Sequence, residues 1–308
     1  IVDSITTENN LNLQLISDTS YFCQVYAYNL CSDYTSSQVI KITKKSPALI
    51  GGLSLWLEAE SGVNIDSNGR VTQWKDQSGN KAHAYQNDTL LMPVTKLLDS
   101  AINYKPTIYF DNNNGYLQID SSVRIGTAII VSNWGSDVIN FPENIGLFTK
   151  IDGSKLMFNG ASGSSYLMDP MDEYFKNGTV SNDYSPLNNY KIFAGYFYSP
   201  ETSSKYYIGS NSSNKSWNGN IAEIIAYEEP LSTEQRLQVE QYLRYKYSPP
   251  IDLGQDVVID YGFADTTTSF NKEAWHQSYL WSDSSSVDSF LVVSKTGYYG
   301  VNRVDNFG

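Results

Sequence analysis

Cysteine and histidine are nearly missing from this chain: 308 residues contain two of each. A structural zinc site draws four ligands from one neighbourhood, and Cys23, Cys31, His83 and His276 are too scattered to form one. A Ser–His–acid site needs a placed histidine, and the only two stand in different predicted regions, His83 in a polar loop and His276 beside Trp275. No G-x-x-x-x-G-K-[ST] run occurs, and no G-x-G-x-x-G follows a strand, so phosphate-cradling loops are excluded. Long apolar runs are lacking too. The most apolar, from Pro47 to Leu57, contains Gly51 and Gly52 and falls far short of the roughly 18 residues of a membrane-spanning helix. Positive charge is scarce, with 21 Lys and Arg against 33 Asp and Glu and a formal net charge of −12. Such a field repels phosphate backbones and anionic lipids, so the partners expected exclude nucleic acid and membrane insertion. Divalent cations and neutral glycans remain.

The abundant residues point to strands. There are 24 Tyr, 12 Phe and 6 Trp beside a charged fraction of 18%, a composition that suits half-buried pleated surfaces and an all-β class. Residues 1–46 alternate at Leu11, Leu13 and Leu15, again over Tyr21 to Tyr28, and form a third β-branched run at Gln38 to Thr43. Cys23 lies in an alternating run and Cys31 in the turn after it, which makes them a disulfide candidate in an oxidising compartment; two reduced thiols are the other reading. Lys44-Lys45-Ser46-Pro47 breaks the pattern and marks a boundary.

From Leu53 short strands recur between turn signals. They are expected at Leu53–Leu57, Val71–Trp74, Thr107–Phe110, Thr127–Ser132, Gly146–Ile151, Lys191–Tyr198, Lys205–Ile208 and Asn220–Tyr227. That density without intervening helices predicts a sandwich or jelly roll. One helix is expected after Ser232, where Gln235 completes a capping box, with Val239, Tyr242, Leu243 and Tyr247 on a face that packs on the sandwich edge. Pro249-Pro250 ends it. Residues 251–308 return to strands at Asp256–Ile259, Ser278–Trp281, Phe290–Ser294 and Tyr298–Val304.

Candidate chemistry is sparse. Glu58 and Glu60 share a face by period two but stand at a strand's end, and Asp172 and Glu173 are adjacent and point oppositely, so both pairs read as solvated carboxylates; His83 and His276 read as ordinary surface or packed histidines. Asp111-Asn112-Asn113-Asn114-Gly115 concentrates oxygen ligands, with Asp111 and Asn113 as candidates for calcium, although the same residues suit a plain turn. Sugar recognition needs an aromatic face beside amides or carboxylates, which singles out Trp134 with Asp137 and Trp217 with Asn218; core packing is the competing reading for both rings.

Three blocks carry a resemblance: LSLWLEAESGVNIDSNGRVTQWKDQSGN, KPTIYFDNNNGYLQI and WNGNIAEIIAYEEPLSTEQRLQVEQYLRYKY. In that order they resemble the concanavalin A-like lectin/glucanase superfamily, in its laminin-G or pentraxin-like branch. TSYFCQVYAYNLCSDYTSSQVIKIT resembles the last strands of a fibronectin type III module, and YLWSDSSSVDSFLVVSKTGYYGVNRVDNFG resembles the Ig-like or PKD-like modules of large surface proteins of gliding bacteria with type IX secretion. The resemblance implies a central concanavalin A-like jelly roll over residues 47–249 with one C-terminal helix, flanked by partial Ig-like sandwiches at 1–46 and 250–308. It implies a secreted or cell-surface, non-catalytic adhesin fragment that contacts glycans or extracellular surfaces, with calcium as the one possible cofactor. A structural spacer, secretion cargo, or an accessory module of a polysaccharide-degrading enzyme are the other roles it allows. The glucanase branch carries E-x-D-x-x-E on one strand, and no such run occurs here.

Overall fold

The computed structural model describes residues 20–23, 26–28, 34–36, 40–43, 46–111, 115–135, 145–152, 156–160, 167–168, 171–200, 203–210, 216–253, 266–282 and 287–308. The chain divides into two compact units, Ile1–Ile50 and Gly51–Gly308. In the first, β1 (Ser20–Cys23) pairs antiparallel with β4 (Ile40–Thr43), and β2 (Tyr26–Tyr28) with β3 (Tyr34–Ser36). The Cys23–Cys31 disulfide expectation lies outside the described residues.

The second unit begins with β5 (Leu53–Glu58), β6 (Val63–Ile65), β7 (Val71–Trp74), β8 (Ala84–Tyr85), β9 (Val94–Asp99), β10 (Lys105–Asp111), β11 (Leu117–Val123) and β12 (Thr127–Ser132). It continues with β13 (Ile145–Lys150), β14 (Leu156–Gly160), β15 (Leu167–Met168), β16 (Glu173–Lys176), β17 (Thr179–Val180), β18 (Lys191–Tyr196), β19 (Ser204–Ile208), β20 (Asn218–Tyr227) and α1 (Thr233–Tyr247). These strands form two eight-stranded sheets. The front sheet runs β17-β16-β18-β12-β20-β10-β9, with β5 joined to β20, and the back sheet runs β15-β14-β13-β19-β11-β8-β7-β6. Antiparallel pairing throughout, with one apolar face of each sheet turned to the other, is the all-β sandwich that the aromatic and β-branched composition implies.

The core between the sheets holds Leu55, Leu57, Ile108, Phe110, Ile130 and Ile224 from the front and Trp74, Leu117, Ile119, Phe148 and Ile208 from the back. Strict alternation along Asn220–Tyr227 would set Ile221 beside Glu223 on the outer face. The register slips between Val131 and Ser132, whose partners are Glu223 and Ile221, so Ala222 is a bulge and Ile221 joins the core with Ile224 and Ala226. The Asp76-Gln77-Ser78-Gly79 turn is tied down by Asp76, whose Oδ1 accepts from the amides of Trp56 and Ser78 and whose Oδ2 accepts from Ser78 Oγ and the Ala82 amide. That stretch of the first block therefore serves folding.

Helix α1 has its capping box: Gln235 N donates to Ser232 Oγ at 3.2 Å, and Ser232 N donates to Gln235 Oε1 at 3.0 Å. It lies over the outer face of the front sheet rather than at the sandwich edge, because that face carries its own apolar set, Ile129, Val131, Ile192, Ala194, Ile225 and Tyr227, all buried. Val239, Leu243 and Tyr247 are buried against it, while Tyr242 is half-buried. Beneath the helix Glu223 is wholly buried and accepts from Trp56 Nε1 (2.7 Å), Tyr242 Oη (3.2 Å), Tyr247 Oη (2.7 Å) and Lys246 Nζ (2.7 Å). Burial pushes its carboxyl above the usual range, although Lys246 opposes the shift. Lys246 also pairs with Glu58, which is therefore not the solvated carboxylate expected; Glu60 is exposed and pairs with Lys105 at 2.6 Å.

After the helix, β21 (Thr266–Ser269) pairs with β23 (Phe290–Val293) and β22 (His276–Trp281) with β24 (Val301–Asp305), closing a small core around Phe270, Trp281 and Leu291. The expected strand at Asp256–Ile259 lies outside the described residues. Arg244 of α1 reaches Asp305 and the Phe307 carbonyl, and Arg303 donates to the Ser248 carbonyl, which ties this segment to the sandwich. Among the described residues no helix is long and apolar enough to cross a membrane.

The phenols of Tyr184, Tyr190, Tyr227, Tyr242 and Tyr247 are all raised above their ordinary value, in each case chiefly by burial, and Tyr196 is pushed up to about 12 by the same cause. Above the ordinary phenol value the unfolded chain loses protons that the fold retains, so stability falls as pH rises. Urea unfolding followed by circular dichroism is expected to show a clear fall in stability between about pH 8 and about pH 11, with phenolate absorbance appearing in step with unfolding.

Candidate functional site

Strands β9, β10 and β20 set Val94, Tyr109 and Asn220 in one register row, on the outer face of the front sheet. The chain leaving β12 continues that row, since Asn133 N donates to the Asn220 carbonyl at 3.0 Å. With the loop carrying Asn188 they enclose an open cleft of about 460 Å³, lined also by Thr95, Lys96, Trp134 and Gly135.

Its polar floor is preorganised. Asn133 Oδ1 accepts from both the backbone and the side-chain nitrogens of Asn220, at 2.9 and 3.0 Å, and Asn133 Nδ2 donates to the Asn188 carbonyl at 3.1 Å. Thr107 Oγ1 donates to Asn220 Oδ1 at 3.3 Å. An amide nitrogen has two N–H groups, so Asn133 and Asn220 each keep a second donor beyond these bonds. Thr95, register partner of the core residue Ile108, turns its side chain to the inner face, so it meets the cleft through its backbone. Lys96 is held at 2.7 Å by Asp99, which also accepts from Tyr190 Oη at 2.6 Å, so its charge is balanced before any ligand arrives.

Gly219 makes the cleft possible. A Cβ there would stand 2.1 Å from the Asn133 carbonyl oxygen, so only glycine lets β20 come this close to the Asn133-Trp134 segment. Gly135 N then donates to the Asn218 carbonyl at 2.7 Å.

The structure brings Trp134, Trp217 and Asn218 together at this cleft, but in roles other than those expected. Trp134 is only 2% exposed and meets Trp217 edge to face, 4.9 Å between ring centroids at 85°. Trp217 is fully buried and its Nε1 donates to the Asn133 carbonyl at 3.0 Å. Neither ring offers a face to a sugar, because each spends its faces on the core; the pair instead backs the cleft. Asn218 is half-buried, and its Oδ1 accepts from Tyr109 Oη at 3.4 Å. Asp137 and Asn113 lie outside the described residues. Asp111 is exposed at the end of β10, register partner of Asn218. Among the described residues no group of three or more His, Cys, Asp or Glu is placed to hold a metal.

Thr95, Lys96, Tyr109, Asn133, Asn188 and Asn220 were not legible as site residues from the sequence. Their one signal was an asparagine on either side of strong β runs, at Asn133 and Asn220, and only the register shows that the two meet. The other examined groups are structural: His83 Nδ1 accepts from the Asp76 amide, Asp172 and Glu173 both hold Tyr198, and His276 sits half-buried beside Phe270 and Trp275.

No protein-family model matches the chain, and no curated protein sequence matches it. Among solved structures it is similar to a Trypanosoma rangeli sialidase in complex with the inhibitor DANA, at 12% identity and a TM-score of 0.35, over 63% of this chain and 33% of that one. The same sialidase with sialic acid gives 12% identity and a TM-score of 0.36 over the same shares. The chain thus spans about a third of the sialidases it matches, and a likeness of this degree carries no argument about activity.

Proposed function

We propose that this chain is part of a secreted or cell-surface adhesin whose central sandwich is a concanavalin A-like lectin module, non-catalytic, that holds a neutral glycan in the cleft on its front sheet. The fibronectin-like and Ig-like segments on either side serve as stalk. The observation that carries the reading is the cleft lining: three asparagines and a tyrosine around an apolar edge, with the one cation, Lys96, paired to Asp99 and no carboxylate among the described lining residues. Spare amide and hydroxyl donors suit the rim of hydroxyls on a sugar, and the Val94 side chain with the Trp134 edge suits its apolar ring face. Among the described lining residues there is no carboxylate, so the lining supplies neither member of the carboxylate pair of ordinary glycoside hydrolysis.

The test is a glycan array probed with the chain with and without calcium. Retention of a set of neutral glycans is expected. Asn188→Ala gives a sharper readout, because it removes an exposed amide of the cleft and keeps the Asn188 carbonyl that holds Asn133. It is expected to leave stability within about 0.5 kcal/mol while weakening glycan retention several-fold. An empty array under both conditions refutes the reading.

A further inference from the structure

The back sheet carries a second ordered set of side chains that the cleft does not use. Register partners run Asn64–Gln73 (β6 to β7), Gln73–Tyr85 (β7 to β8), Tyr85–Gln118 (β8 to β11) and Gln118–Tyr207 (β11 to β19), so five residues stand in one row across five strands. Their strand neighbours Trp74, Ala84, Leu117, Ile119, Tyr206 and Ile208 are core residues, which fixes the row on the opposite, outward face. Asn64 Nδ2 donates to Gln73 Oε1 at 2.7 Å, as side-by-side placement requires.

From Gln73 onward the row alternates amide and phenol, and none of its five side chains is charged. Tyr85 is 38% exposed, and Tyr207 is half-buried, with Tyr116 packed edge-on against it at 5.1 Å. The two tyrosines stand two strand spacings apart, about 9.5 Å, close to the length of two linked hexoses. We propose that this row is a second binding surface, on which a neutral β-linked polysaccharide lies across the strands with sugar faces on Tyr85 and Tyr207 and hydroxyls on Gln73 and Gln118. The row itself carries no charge, and the carboxylate beside it, Asp120, accepts from Gln118 Nε2; an acidic polysaccharide would be repelled by that group and by the net charge of −12, which leaves a neutral one. Apolar rings with amides between them match a polymer whose repeating unit has an apolar face and a polar rim. The surface is independent of the cleft, which lies on the other sheet.

Affinity electrophoresis of the full chain through gels containing hydroxyethylcellulose, xylan or laminarin tests this. Retardation is expected in at least one gel. Tyr85→Ala should reduce the affinity about tenfold, the effect of one lost stacking ring, whereas Tyr85→Phe should hold it near the wild-type value. Gln118→Ala should weaken it several-fold, and the cleft variant Asn188→Ala should leave it unchanged. Tyr85 and Gln118 are outside the core, and circular dichroism of each variant checks the fold. The proposal is overturned by no retardation in any of the three gels, by equal retardation of the wild type and a Tyr85→Ala/Gln118→Ala double variant, or by retardation that Asn188→Ala abolishes.

Discussion

Lys246→Met is expected to destabilise the sandwich by about 3–5 kcal/mol, the range for removing one partner of a buried ion pair. Glu223 has no exposed surface and takes four hydrogen bonds, one of them from Lys246. Without that ammonium the carboxylate must either stay charged in an apolar layer or take up a proton. Burial already pushes Glu223 towards the protonated form, so the variant should also show a stability that falls as pH rises through the raised carboxyl range. In the wild type burial alone would lower the Lys246 ammonium, but Glu223 and Glu58 more than offset this and hold it above its ordinary value. Its contribution is therefore complete below the ordinary lysine range and is lost in strong alkali. Tyr247→Phe removes one neutral donor from the same carboxylate and should cost less, about 1–2 kcal/mol. Urea denaturation of the three proteins side by side checks the order. A Lys246→Met loss within about 1 kcal/mol, the worth of a surface pair, contradicts it.

Trp217→Ala should cost about as much, 3–5 kcal/mol by the usual cost of emptying a buried aromatic site, and should in addition spoil the cleft. The ring is fully buried, meets Trp134 at 4.9 Å and Tyr184 at 5.3 Å, and its Nε1 holds the carbonyl of Asn133. Taking it away leaves a cavity behind Trp134 and frees the backbone that aims the Asn133 amide. Trp217→Phe keeps most of the packing and loses the hydrogen bond, so it should cost about 1–3 kcal/mol while weakening the cleft more than its stability suggests. Thermal denaturation combined with glycan retention separates the two effects. A Trp217→Ala protein with wild-type stability would show that the tryptophan pair does not support the core.

Much of the sandwich was legible because its strands obey local rules. Thr127–Ser132 emerges with the expected bounds, since four β-branched residues in a stretch of six, buried on both faces, are hard to misread. The helix start was equally plain, as the capping box is a four-residue chemical statement at Ser232 to Gln235. Edge strands escaped. In β9 the run Val94–Asp99 has no period of two, and its Leu97 and Leu98 are exposed at 67% and 69%, so burial does not stamp a pattern on it. The two-residue strands β8, β15 and β17 are too short to carry any period.

The site was less legible than the fold for a related reason. Tryptophan followed by Gly-Ser-Asp or Asn-Gly looks like a sugar platform in one dimension, but the sequence does not say which face of the ring is spent. Trp134 and Trp217 spend theirs inside the core, where they meet edge to face. The groups that line the cleft lie far apart along the chain, at 94–96, 109, 133–135, 188 and 220, and acquire a common purpose only through the β9-β10-β20-β12 order. The Glu223 cluster shows the same thing: Trp56, Glu58, Tyr242, Lys246 and Tyr247 converge on one carboxylate from two ends of the domain.

The glycan cleft is tested most directly by side-chain amide shifts in nitrogen-15 nuclear magnetic resonance, recorded while a glycan retained on the array is titrated into the chain. The side-chain amides of Asn133, Asn188 and Asn220 and the backbone amide of Thr95 are expected to move together along one binding curve, with the amides of Gln73 and Gln118 on the back sheet following a separate one or staying still. Binding that leaves Asn133, Asn188 and Asn220 unmoved would contradict the assignment of the cleft.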